Sequence, residues 1–230
     1  MLEKLKPDGC AANIALKEPG LGVLTWGNVS AIDRETGLIA IKPSGVPYGE
    51  LTPEKMVVVD LDGKVVEGDL KPSVDMPTHI YLYKKYDNIS AVVHTHSTFA
   101  TAFAQAGRSI PALGTTHADA FFGDVPCTRI LTDAEVMGDY ELNTGKVIAE
   151  TIADPEKMPA VLVKNHGAFT FGKSAREAVE IAVTLEETAK IAYLTKTLDP
   201  SAPRVPDYIL EKHYFRKHGD TAAYGQKDKE

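Results

Sequence analysis

Three strand-like apolar runs follow one another early in the chain with no room for a helix between them: "VLTWGNVSAID" (23–33), "LIAIKPSG" (38–45) and "MVVVDLDGKVV" (56–66). Parallel neighbours need a crossover of about a dozen residues or more, while antiparallel ones need only a turn, so these gaps favour hairpins. Within the third run, Asp62 and Gly63 of "LDGK" mark a further hairpin turn. From residue 76 the pattern changes. A helix around "MPTHIYLYKKY" precedes the strand "ISAVVH", and "STFATAFAQAG" follows as a helix with Ser97 as N-cap and Gly107 as stop. A helix near 141–153, the strand "AVLVKNHG" and a long helix from Ser174 come next. "SARE" places Ser174 and Glu177 as a capping box, and Ala178, Ile181, Ala182, Leu185 and Ala189 form that helix's apolar face. An opening helix over about 7–17, with Pro7 in its first turn and Gly20 and Gly22 at its exit, and a closing helix near 206–218 complete the pattern. Hairpins first and helix-flanked strands later predict a mixed α/β layer fold, not a regular doubly wound one.

A chain of 230 residues can bury a sizeable core in one unit, and the expected domain spans 1–230. The net charge of -7 argues against general nucleic-acid binding, which needs Lys and Arg to neutralise phosphates. A small phosphorylated ligand needs only a local cluster of donors. No segment resembles a signal peptide or approaches the roughly 20 apolar residues of a membrane span, so no membrane partner and a cytoplasmic location are expected. Cys10 and Cys127 form no C-x-x-C and are expected as buried thiols, so any metal must rest on histidine and carboxylate ligands.

His94 and His96 end an apolar strand two positions apart, so both imidazoles point to one face with Cα atoms about 6.5 to 7 Å apart. That spacing suits a shared metal ion, although an isolated pair serves equally to satisfy backbone groups at a strand end. His166 adds a third imidazole where "AVLVKNHG" runs into Gly167. Three protein ligands, with a fourth position left for water or substrate, is the common arrangement of catalytic zinc. Asp75, at the start of a helix, offers a carboxylate or simply an N-cap; His79, one turn on, reads as structural. In "GTTHAD", His117 stands near Asp119; a buried acid there would have a perturbed pKa and could exchange protons, and an Asx-type turn is the alternative.

Residues 167–174, "GAFTFGKS", match the phosphate-loop pattern G-x-x-x-x-G-K-[ST]. The match is rejected, because Ala168, Phe169, Thr170 and Phe171 are bulky or β-prone where a phosphate nest needs close backbone approach. Better donors lie in "TWGN", "KPSG" and "KPS": Asn28, Lys42, Ser44, Gly45 and Ser73 offer amide, ammonium, hydroxyl and backbone N–H groups to a phosphate if the fold brings them together.

Taken in order, "TWGNVS", "IKPSGV", "KPSVDMPTH", "VVHTHS", "IPALGTTHAD", "VPCTRI", "NHGAF" and the terminal "KHYFRKHG" and "AYGQ" resemble the L-ribulose-5-phosphate 4-epimerase family of the class II aldolase/adducin-head superfamily, along nearly the whole chain. The resemblance implies an α/β/α fold around a mixed, largely antiparallel sheet, and a cyclic homotetramer with active sites between neighbouring subunits. It implies Zn2+, with Mn2+ or Co2+ as substitutes, on His94, His96 and His166 with Asp75 at or beside the metal. Gly27, Asn28, Lys42, Ser44, Gly45 and Ser73 match phosphate and substrate contacts. Asp119 and Tyr224 match the proton donor/acceptor pair, Tyr224 coming from the neighbouring subunit, and Thr115 and His213 match supporting residues. The implied reaction inverts the fourth carbon of a phosphorylated pentulose, as in arabinose catabolism or another pentose route. Related sugar-phosphate aldolases, which release their fragments, carry a glutamate where Asp75 stands. One departure bears on the site: Val74 replaces the second serine of the family's "KPSSD".

Overall fold

The structure is a computed structural model that describes residues 2–218 and 222, with the side chains of residues 2 and 3 left aside. Strands β1 (Asn28–Asp33), β2 (Leu38–Ile41), β3 (Val57–Val59), β4 (Val65–Glu67), β5 (Ala91–Thr95), β6 (Ala160–Leu162) and β7 (Ala168–Gly172) form one sheet in the order β4-β3-β2-β1-β5-β7-β6. Every named pair is antiparallel. The largely antiparallel sheet that the resemblance implies is thus present, and among the described residues parallel pairing is confined to an isolated bridge, Cys127 with Leu162, outside the named pairs. The segment read as "GAFTFGKS" is β7 and the turn after it, in keeping with its bulky residues.

Helices cover both faces of the sheet. On one face α1 (Leu2–Ala15) and α7 (Ala175–Leu198) bury Leu5, Cys10, Ala12, Ala178 and Ala182 against Val29, Ala31, Ala40 and Val93. On the other, α2 (Met76–Lys85) and α6 (Tyr140–Thr151) bury Leu82, Tyr83, Val147 and Ile148 against Ile39, Ile41, Val92 and Phe171. With apolar partners on both sides, the strands read as nearly continuous apolar runs. Helix α3 (Thr98–Ala106) packs on α7 through Ala100, Ala104, Leu185 and Ala189, while the short α4 (Thr115–Ala118) packs on α8 (Asp207–Lys217).

Several local expectations shift. Helix α1 starts at Leu2, and Pro7 lies inside it. A proline there forfeits one early backbone bond, and tertiary anchoring offsets the loss: the buried Asn13 side chain donates to the Val29 carbonyl and accepts from the Val29 N–H, at 2.9 and 2.8 Å. At α7, Ser174 Oγ caps Glu177 N–H as expected, but Glu177 returns its bond to Lys173 N–H, one residue before the box position. A full capping box instead opens α5 (Asp133–Met137), between Thr132 and Glu135, an element unassigned from sequence. Ser97 begins α3 without a side-chain cap; the Glu186 carboxylate from α7 takes the Phe99 and Ala100 N–H groups. Cys10 is buried, whereas Cys127 is only half-buried. Among the described residues no helix is long and apolar enough to cross a membrane.

Candidate active site

The site forms where β1 begins and β5 ends. Register pairs Asn28 with His94 and His94 with Phe169, so the start of β1, the end of β5 and the start of β7 meet at one end of the sheet. Two glycines permit this approach. A Cβ on Gly27, at φ +77°, would stand 2.6 Å from the His94 carbonyl oxygen, and one on Gly167 2.6 Å from that of Thr95. His166 belongs to the turn between β6 and β7, not to a strand end. That turn holds Asn165 at φ 62° and bonds Asn165 N–H to the Ala104 carbonyl, which aims the next side chain at the other two histidines.

The ligand nitrogens of His94, His96 and His166 lie within 4.8 Å of one another. His94 stacks on Phe169 at 4.3 Å between ring centroids. Burial, which disfavours the imidazolium, pushes His94 down to about 3 and lowers His96 and His166 as well, so the rings are neutral at pH 7. His94 Nδ1–H donates to the Ala168 carbonyl at 3.0 Å, which leaves the Nε2 lone pair facing His96 Nε2, also at 3.0 Å. His166 Nδ1 meets Tyr140 Oη at 3.3 Å, an outer partner of the kind that fixes a ligating tautomer. Two metal–nitrogen bonds of about 2.0 to 2.1 Å in a tetrahedron put their nitrogens about 3.3 Å apart. The donor set thus fits a divalent cation, and these three residues would hold it.

Asp75 occupies the N-cap position of α2, yet its backbone is helical and its side chain caps nothing. Its carboxylate instead accepts from Asn28 Nδ2 at 2.7 Å and from Ser73 Oγ at 3.4 Å, beside the histidines. Burial raises the Asp75 carboxyl, but the imidazoles of His94, His79 and His166 and the Asn28 amide outweigh it and hold it below the ordinary range. His79 is fully buried, with Nδ1 at 2.7 Å from Ser30 Oγ.

One cleft of about 500 Å³ takes in all ten residues assigned to metal and substrate: Gly27, Asn28, Lys42, Ser44, Gly45, Ser73, Asp75, His94, His96 and His166. The convergence of three separate turns is thereby met. Lys42 is 2% exposed, its pKa lowered by burial, and its ammonium lies 3.4 and 3.5 Å from the Thr25 and Pro43 carbonyls and 5.0 Å from the centroid of the Tyr48 ring. Among the described residues no carboxylate is within ion-pair distance of it, so the cleft holds a buried cation that favours an anion. Val74 stands at the lip, 65% exposed. Trp26, Tyr140 and Glu141 also line the cleft and were not selected from sequence. "TWGN" drew attention to Trp26's neighbours, while nothing in "GDYELN" marks Tyr140 or Glu141.

The remaining candidates gather elsewhere. Asp119 ends α4, and its carboxylate accepts from His213 Nδ1 at 2.9 Å and from Arg216 Nη2 at 3.1 Å, with Lys217 Nζ at 3.6 Å. Burial alone would raise this acid, but the bonds from Arg216 and His213 and the charge of Lys217 keep it below the usual carboxylate range. Its side chain reaches to α8 instead of making an Asx turn. Thr115 opens the same short helix, and the buried His117 bonds the Gly123 carbonyl at 2.7 Å. Asp119, Thr115 and His213 do not line the histidine cleft of their own chain. Tyr224 lies outside the described residues.

A seven-stranded antiparallel sheet between helical layers, with three histidines at its end, has clear relatives. The family described as "Class II Aldolase and Adducin N-terminal domain" matches residues 8–193, and the chain belongs to it. Over 228 residues, 98% of this chain and 100% of the relative, the sequence is 56% identical to the L-ribulose-5-phosphate 4-epimerase UlaF of Salmonella paratyphi C (strain RKS4594). It is 55% identical over the same length to the protein of that name from Salmonella typhi. Among solved structures, an L-fuculose 1-phosphate aldolase superposes with TM-score 0.79 at 31% identity, covering 93% of this chain and 95% of that one. The L-fuculose-1-phosphate aldolase of Thermus thermophilus superposes with TM-score 0.68 at 26% identity, covering 88% and 100%.

Proposed function

We propose that this chain is an L-ribulose-5-phosphate 4-epimerase, an isomerase that interconverts L-ribulose 5-phosphate and D-xylulose 5-phosphate. The observation that carries the proposal is the union, in one cleft, of three neutral imidazoles whose ligand nitrogens lie within 4.8 Å of one another with a buried Lys42 and with Asn28, Ser44 and Ser73. The curated relatives at 56% identity over full length carry that activity in their names. In this proposal residues 1–230 form one catalytic domain of a cytoplasmic enzyme, the cation is zinc, and four chains close in a ring with sites between neighbours.

The fourth carbon of the substrate is not adjacent to the ketone, so its hydrogen is too weakly acidic for direct removal. Inversion proceeds through the bond between the third and fourth carbons. A base takes the proton of the C4 hydroxyl, the bond breaks, and glycolaldehyde phosphate and the enediolate of dihydroxyacetone remain in the cleft. The aldehyde turns, its other face is attacked, and an acid on that side returns a proton to the oxygen. A divalent cation on His94, His96 and His166 supplies the Lewis acidity that takes up the charge developing as the bond breaks. Lys42, Asn28, Ser44, Gly45 and Ser73 hold the phosphate while the fragment turns. Tyr224 from a neighbouring chain, and Asp119, which in this proposal also comes from a neighbour because it does not line the histidine cleft of its own chain, serve the two faces of the aldehyde. The grip of Arg216 and Lys217 keeps Asp119 ionised, the form that accepts a proton. Asp75, engaged by Asn28 and Ser73, orients the cleft beside the metal ligands.

The likeness to fuculose-phosphate aldolases supports a second reading, an aldolase that releases its fragments. Incubation of metal-loaded protein with L-ribulose 5-phosphate separates the two. D-xylulose 5-phosphate should form with little free dihydroxyacetone or glycolaldehyde phosphate; accumulation of those fragments favours the aldolase, and absence of any conversion overturns both.

A further inference from the structure

Trp26 is the chain's sole tryptophan, and it stands 52% exposed in the wall of the cleft. A single exposed aromatic needs no explanation by itself. What sets this one apart is how its backbone is held and what its ring faces. Its carbonyl accepts from the buried Tyr48 hydroxyl at 2.7 Å, and its N–H closes a turn on the Val23 carbonyl at 2.9 Å. That turn contains Leu24 at φ 53°, a conformation uncommon for a branched residue, and Gly27 follows in the tight approach described above. The indole lies 6.3 Å from the His96 ring, and Trp26 lines the same cleft as the histidines and as Lys42, Ser44 and Ser73.

We infer that Trp26 is a substrate-positioning residue whose indole face packs against the carbon skeleton of the sugar phosphate and retains the aldehyde fragment while it turns. The inference rests on the proposed epimerase reaction. A fragment fixed only at its phosphate can swing out of an open cleft, and hydrogen-bond donors along the wall would favour one face of its carbonyl over the other. A flat apolar wall gives contact without that bias.

A sole tryptophan also makes the contact directly observable by its own fluorescence. In the intact metal-loaded protein, D-xylulose 5-phosphate should shift or quench Trp26 emission, while inorganic phosphate at a concentration that competes with it should leave emission nearly unchanged. In assays, Trp26→Ala should raise the ratio of released fragments to epimer on the order of tenfold with the oligomer intact, and Trp26→Phe should keep the wild-type ratio. Unchanged emission with the sugar phosphate, an unchanged ratio in both variants, or dissociation of the oligomer on either substitution would overturn the inference. An emission response in wild-type protein that lacks epimerase activity would uphold the contact and reject the reaction, so the two failures are distinct.

Discussion

The two groups of candidate residues are built by opposite means. The histidine cleft sits at the end of the sheet, where strand register and two glycines fix each side chain, and burial keeps its three imidazoles neutral. The Asp119 group sits between α4 and α8 near the surface, held by ionic bonds to a helix whose His213 is 94 residues away in sequence. The first gathers three imidazoles that could hold a metal ion beside the buried ammonium of Lys42; the second is a carboxylate held by the cationic side chains of Arg216 and Lys217. Within one chain they do not share a cleft. That separation is the physical argument for a site shared between neighbouring chains.

The largest effect is expected in the sheet-end region. His94→Ala, His96→Ala or His166→Ala should each lose metal by elemental analysis and lower turnover at least about 1,000-fold, since Lewis-acid stabilisation is worth several kcal/mol. A variant that stays active without bound metal would remove the metal from the account. In the helical group, Asp119→Asn keeps the side chain's shape but cannot take the proton, and should lower kcat about 100-fold to 1,000-fold with metal content unchanged. A rate within a few-fold of wild type would make Asp119 a structural anchor only.

Acid should distinguish the two regions by stability. Burial holds His79 and His94 at about 3, against roughly 6.5 in an unfolded chain. Between those values the unfolded chain binds protons that the folded one does not, so the metal-free protein should lose stability as pH falls below about 6.5. The slope approaches about 1.4 kcal/mol per pH unit for each of the two histidines. The Asp119 carboxyl is depressed in the folded state, so its contribution is fully present above its unfolded value of roughly 3.9 and is lost only as pH falls through the lower, folded value. Thermal unfolding of metal-free protein should thus weaken from pH 6.5 to 4.5, and a flat profile there would contradict the buried neutral state of the histidines. The smallest effect belongs to the lip: Val74→Ser adds at most one neutral hydrogen bond, worth about 0.5 to 1.5 kcal/mol, and should lower KM several-fold at most.

The same contrast explains what was legible in the sequence. Period-two alternation placed His94 and His96 on one face, so that pair follows from local pattern; His166, expected at a strand end, lies in the turn between β6 and β7 and reaches the pair only through the pairing of β5 with β7. The phosphate donors could be named from their turns, but only strand register brings them together. The partners of Asp119 arise from packing of α4 on α8, for which no local periodicity exists, and they decide that its perturbed carboxyl is a lowered one. Pro7 misled because the Asn13 bonds to β1, not proline position, set where α1 can persist. The capping box at Thr132 and Glu135 is present in "TDAE", but the segment lacks the apolar stripe that would mark a helix there.

A mixture of His94→Ala and Asp119→Asn chains tests the shared site most directly. Each variant alone should be nearly inactive. In mixed oligomers, a site that takes its histidines from the Asp119→Asn chain and its acid from the His94→Ala chain carries neither lesion, and random assembly makes about one site in four of this kind. The account predicts recovery to about a quarter of wild-type activity at equal mixing. No recovery in verified mixed oligomers would contradict it, because a site built within one chain always keeps one of the two lesions.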